Sequence, residues 1–178
     1  MSTASEAVMM AAYNQWMNAK LYSAAEKLPA AELARERGAF FGSILGTLNH
    51  LVVGDTLWLK RFAEHPSKPA ALDPISALPQ PTALNQVLFT DLAELKARRD
   101  LLDKAIIDWA AALTDADLAQ VLEYTNSKGI RGRRRLVSLV THFFNHQTHH
   151  RGQATTLFSQ AGIDVGVTDL LSLIPDES

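Results

Sequence analysis

The chain has 178 residues, 47% of them apolar, which suffices for a hydrophobic core and sets the expectation of a single domain over residues 1–178. Its 17 basic and 19 acidic residues leave a formal net charge of −2, so no overall attraction draws it to nucleic acid or to an anionic membrane. It has no cysteine, which excludes disulfides and thiolate ligands, so any bound metal must be held by nitrogen or oxygen.

The start, MSTASEAVMMAAYNQW, shows no basic region, long apolar run or cleavage pattern, and predicts no signal peptide. No apolar run reaches the ~18 residues of a membrane span. The expectation is therefore a cytoplasmic protein.

In chain order, a first helix is predicted over residues 5–27, ending before Pro29, followed by the short polar stretch AAELARERG. A second helix runs over 43–63, where Ile44, Leu48, Leu51, Trp58 and Phe62 recur at three-to-four spacing. Residues 65–81 hold five of the seven prolines (Pro66, Pro69, Pro74, Pro79 and Pro81). Proline removes a backbone donor and fixes φ, so this segment reads as a crossover loop. A third helix is predicted over 82–113, and Thr114 reads as a fresh N-cap for one or two further turns. From 121 to 134 the stretches VLEYT and IRGRR flank a turn at Asn126-Ser-Lys-Gly129, which predicts a small hairpin or irregular insertion. A fourth helix covers 136–160 with Gly162 as its C-terminal cap, and DLLSLI closes the chain. The fold class is all-α, a four-helix bundle of up-and-down type with a Pro-rich crossover.

The chemistry concentrates in the last helix, where THFFNHQTHHRGQ holds His142, His146, His149 and His150. Residues four apart share a helix face, so two such imidazoles can close on one ion. Imidazole suits zinc, nickel, iron or copper better than magnesium or calcium. The pairs 142/146, 146/149 and 146/150 all have workable spacing, and a helical wheel separates them. Taking Leu136 as zero, Leu139, Val140, Phe143, Ala154, Leu157 and Phe158 fall within about 60°, His150 at about 40° and His146 at about 80°. His142 and His149 lie at roughly 120° and 140°, nearer solvent or a neighbouring flank. The inward pair is His146/His150. A third ligand from another helix is needed. His50 is the candidate, although it lies about 120° off the apolar stripe of its own helix. His65, at a helix end before Pro66, is a poorer choice. The bland alternative is a run of polar histidines on a partly exposed face.

The segment LGTLNHLVVGDTLWLKRF, followed far downstream by HFFNHQTHHRGQ, resembles the DinB/YfiT-like superfamily of damage-inducible, metal-dependent proteins. The opening YNQWMNAKLYSAAEKL and the ending TDLLSLI are similar to that family in the same order. The resemblance implies a four-helix bundle with a three-histidine metal centre, one ligand from the second helix and two from the last. Those ligands map to His50, His146 and His150. It also implies a homodimer, zinc or nickel as the ion, and a low-molecular-weight thiol as co-substrate of transferases or isomerases. The assignment of His50 comes from the resemblance.

Three neutral imidazoles leave the ion its full charge and at least one open position, as in catalytic sites; structural sites are usually closed by four protein ligands. The expected function is a hydrolase or a small-thiol-dependent transferase acting on a small molecule. The alternative is a non-catalytic metal-binding stress-response or interaction protein. Asp55 falls on the apolar stripe between Leu51 and Trp58. It reads either as a buried carboxylate paired with an arginine, or as an acceptor behind a ligand histidine or a general base. It is the candidate catalytic residue. Arg151, beside Gln153 in the HRGQ ending, should pair with a carboxylate such as Asp55, and Gly152 should allow close helix packing. Tyr13 and Trp16 are candidates for the pocket wall or the core. The basic run Arg131–Arg135 with Lys128 reads as solvated surface or as a phosphate grip. Balanced charge and the lack of interleaved aromatics argue against nucleic acid as a partner.

Overall fold

A computed structural model describes residues 3–126 and 129–176. The elements run α1 (Thr3–Ala25), α2 (Ala30–Ala34), α3 (Ile44–Ala63), α4 (Asp73–Ser76), α5 (Leu92–Ala112), α6 (Asp115–Ala119), β1 (Val121–Thr125), β2 (Arg131–Arg135) and α7 (Leu136–Gln160). Single 3-10 turns occur at Ala70–Leu72 and Leu170–Leu173. The protein is mostly helical with one two-stranded sheet. No helix among the described residues is long and apolar enough to cross a membrane.

The helix starts carry their own chemistry. The Ser43 side chain accepts from the Gly46 amide at the head of α3, and Asp91 accepts from the Glu94 amide at the head of α5. Thr114 and Asp117 close a reciprocal capping box on α6. At the far end of α7, Gly162 takes φ +76° and the Ile163 amide returns to the Phe158 carbonyl, the glycine-dependent stop anticipated there.

Helix α1 packs on α5 and α7, and α3 packs on the same two. Between them lie Leu21, Leu48, Leu51, Leu102, Ile106 and Phe158, all essentially inaccessible. Aromatic rings join three helices at one end: Phe62 of α3 stacks on Trp109 of α5 at 4.8 Å and meets Phe143 of α7 edge-on at 5.7 Å. Full burial of each such ring is worth about 2–3 kcal/mol.

Two boundaries differ from expectation. The stretch AAELA is a short helix in its own right. Helix α5 begins at Leu92, ten residues later than the expected start at Thr82. The reason is a competing set of bonds from α3. The Asn49 side chain accepts the amides of Leu88 and Phe89 and donates to the Phe89 carbonyl, so those backbone groups are satisfied outside a helix. Gln86 likewise takes the Thr82 amide and hydroxyl. The proline-containing segment is not featureless, since it carries the Ala70–Leu72 turn and α4, whose Pro74 sits in the first turn where its missing donor costs nothing.

The insertion before the last helix is a hairpin. β1 and β2 pair antiparallel with Glu123 opposite Arg133 and Tyr124 opposite Gly132. Two of the four turn residues, Ser127 and Lys128, lie outside the described residues.

Candidate metal centre

α3 and α7 lie against each other so that His50, His146 and His150 converge. One nitrogen from each lies within 4.8 Å of the other two. The His50 and His146 Nε2 atoms are 3.2 Å apart. Two nitrogens each ~2.0–2.1 Å from one tetrahedral ion would be separated by about 3.3 Å, so this spacing already suits a shared ion. His50 is 3% exposed and His150 9%, so water hardly reaches either imidazole. The offset of His50 from its own apolar stripe is real: it faces α7, while the stripe faces the core.

Supporting groups fix two of the three rings. The His50 Nδ1 lies 2.8 Å from the Leu84 carbonyl and must donate to it, which leaves Nε2 as a lone pair. The His150 Nδ1 lies 2.8 Å from the Gln153 side-chain oxygen, with the same consequence. Gln153 thus has a definite task in the HRGQ ending. His146 Nδ1 is buried with no hydrogen-bond partner. With His50 Nε2 a lone pair, His146 either donates its Nε2–H to it, or carries its proton on Nδ1 and presents the Nε2 lone pair to a shared ion. The three-nitrogen donor set, with two tautomers locked outward, fits a divalent ion.

Electrostatics keeps the rings neutral. Burial pulls the His146 pKa down to about 3, helped by the neighbouring His150 and His50. Burial holds His50 at about 4 against the opposing Leu84 carbonyl, and lowers His150 as well. Neutral imidazole is the ligating form, so no proton has to be displaced from these rings at neutral pH.

Packing around the triad comes from residues the sequence did not mark. Phe41 stacks on His50 at 3.7 Å between ring centroids and meets His150 edge-on at 5.4 Å. It is presented by a tight loop in which Gly38 and Gly42 have positive φ and the Gly42 amide returns to Ala39. Gly54 is the close-approach glycine. A Cβ there would lie 2.9 Å from His146 Cε1. Gly152, expected in that role, is exposed and has nothing near its Cβ direction.

The remaining candidates fall elsewhere. His142 and His149 are exposed; His142 packs edge-on against Trp58 and His149 against His150. His65 is buried, and its Nδ1 contacts the Ser67 hydroxyl, away from the triad. Asp55 is fully buried in a core network. One oxygen pairs with Arg99 Nη1 at 2.5 Å and the other accepts from the Gln147 side chain. Arg99 also reaches Asp103 at 3.0 Å, which in turn accepts from Asn14 and Asn18. The geometry therefore gives Asp55 an arginine-paired structural place, and burial raises its pKa to about 6 against the pull of Arg99. The expected Arg151–carboxylate pair is not what forms. Arg151 donates to the Asn14 oxygen and the Thr148 hydroxyl, and its guanidinium lies over the Tyr13 ring at 5.3 Å. The arginine for Asp55 comes from α5, where Arg99 and Asp103 stand four apart. Tyr13 is buried and bonds the Thr168 carbonyl, and Trp16 lies half-buried under Lys20. Arg131, Arg133, Arg134 and Arg135 are exposed, with Arg133 paired to Glu123.

Residues 1–177 match the DinB family. The chain belongs to that family. It is also 27% identical over 161 residues to Protein DinB of Bacillus subtilis (strain 168), covering 88% of this chain and 87% of that protein. No solved structure matches. This DinB-family chain thus carries a three-histidine group, His50, His146 and His150, able to hold a divalent ion.

Proposed function

We propose that this DinB-family chain is a metal-dependent enzyme acting on a small molecule, as a hydrolase or a small-thiol-dependent transferase, with zinc or nickel on His50, His146 and His150. The observation that carries the reading is the size of the donor group: among the described residues it comprises three imidazoles and no fourth ligand. An ion so held keeps an open position, where it would act as a Lewis acid and lower the pKa of a bound water or thiol. The protein's own share is to hold three neutral rings together, two of them, His50 and His150, in fixed tautomers through Leu84 and Gln153 and covered by Phe41. We read the four long helices, α1, α3, α5 and α7, as a four-helix bundle with ligands on two facing members. A homodimer in the cytoplasm, with neither nucleic acid nor membrane as partner, completes the proposal.

The test is cobalt substitution followed by visible spectroscopy. A catalytic site should show a spectrum that changes when a small thiol such as 2-mercaptoethanol is added, as the thiolate enters the coordination sphere. A spectrum unmoved by thiol, azide and cyanide alike would mark a closed site and favour a non-catalytic metal-binding protein.

A further inference from the structure

A second feature of the same face is not needed to hold a metal. His50, Gly54, Leu57 and Arg61 fall within about 60° of arc on α3, so the stripe bearing the first ligand continues to Arg61. Arg61 is half-buried, its guanidinium 4.6 Å from the Trp58 ring and 5.5 Å from that of Tyr124. It makes no hydrogen bond or ion pair through its side chain with any described residue. The two buried arginines of the helical core, Arg99 and Arg151, by contrast have side-chain acceptors. Glu64, one turn on, attracts Arg61 but does not pair with it. Burial lowers the Arg61 pKa, against the opposing pull of Tyr124 and Glu64.

Arg61 lines a cavity of about 190 Å³ between α3, residues 80–84 and the turn end of the hairpin at Thr125 and Asn126. That is space for about six waters at ~30 Å³ each, or for a small oxyanion with one or two of them. Gln80, Thr82 and Thr125 offer hydrogen-bonding side chains along its wall, and Leu57 and Leu84 close it with apolar surface. Arg61 carries the only formal charge among the described lining residues. Leu84 also ties the cavity to the triad, because its carbonyl holds His50 Nδ1. Arg61 lies eleven residues beyond His50, ~16 Å of helix rise, and its long side chain folds back over Trp58, towards the His50 end of α3, which shortens that span.

We infer that this cavity is an oxyanion subsite beside the metal centre, in which Arg61 receives a carboxylate or phosphate group of the small molecule handled at the histidines. The inference deepens the proposed metal-site function and rests on it only for what binds the molecule's other end. An arginine fork matches a carboxylate or phosphate in two-point geometry, and the partial burial of Arg61 strengthens such a pair.

The test is calorimetric titration of metal-free protein with succinate and with inorganic phosphate, using succinamide as the uncharged control. The variants are Arg61→Gln, Arg61→Lys and, on the exposed hairpin, Arg133→Gln. The wild type should bind at least one of the two anions saturably and succinamide not at all. Arg61→Gln should weaken binding by about tenfold or more, the loss of one charge-assisted pair. Arg61→Lys should recover part of it, and Arg133→Gln should leave it unchanged. Carboxylate binding without phosphate binding, or the reverse, assigns the oxyanion. No saturable binding of either anion would overturn the inference. So would equal binding by wild type and Arg61→Gln, or an equal loss in Arg133→Gln. Because metal is absent throughout, failure of the metal reading would leave this result untouched.

Discussion

At the scale of single residues, the triad depends on neighbours that never touch the ion. Gln153 accepts from His150 Nδ1 and so turns the other ring nitrogen towards the site. Gln153→Ala should lower zinc affinity by roughly 10–100-fold, the usual cost of losing such a partner, with little change in thermal stability. Competition with a chromophoric chelator reads this directly. Gly54 works by absence. Gly54→Ala raises helix propensity by about 1 kcal/mol, yet its methyl would meet the His146 ring. The expected outcome is a metal-free protein at least as stable in urea and a metal affinity clearly below wild type. An unchanged affinity would mean that His146 has slack the packing does not suggest.

At the scale of elements, α3 and α7 each serve two purposes: an apolar stripe faces the core while histidines face the neighbouring helix. How much of this was legible follows from that division. His146 and His150 sit close to the apolar arc of α7, so a wheel could orient them. His50 sits off the arc of α3, so periodicity could not place it, and family resemblance had to. The Pro-rich segment was legible as non-helical, but its length was not. The bonds that hold Leu88 and Phe89 outside α5 come from Asn49, which lies 39 and 40 positions away from the amides it binds. The Arg151 expectation failed for a related reason: α1 and α5 supply Asn14 and Arg99, and no local pattern reveals which helices lie opposite. Asn49→Ala removes both contacts and leaves two amides without that acceptor. It should destabilise the protein by about 1–3 kcal/mol and loosen His50 through the Leu84 segment. Faster amide exchange at Leu88 and Phe89, with reduced metal affinity, is the expected readout.

For the molecule as a whole, the core is unusual in carrying two arginines and two carboxylates among its leucines. Asp55, Arg99, Asp103 and Arg151 join side chains from α1, α3, α5 and α7. The four formal charges cancel, and the amides of Asn14, Asn18 and Gln147 fill in around them. Such a network adds little net stability over an apolar core, but breaking it strands a charge. Asp55→Ala should cost about 3 kcal/mol in urea denaturation, near the lower end for such losses because Arg99 keeps Asp103. The folded fraction should still bind metal in full stoichiometry. Loss of metal in a protein of normal stability would instead return Asp55 to the site.

The most direct test of the central claim is elemental analysis of the purified protein after loading with zinc or nickel and exhaustive dialysis, beside His146→Ala treated identically. The three-histidine account predicts one divalent ion per wild-type chain and a variant that folds but retains far less. A wild type that keeps no stoichiometric ion, or a His146→Ala variant that keeps as much as wild type, would contradict it.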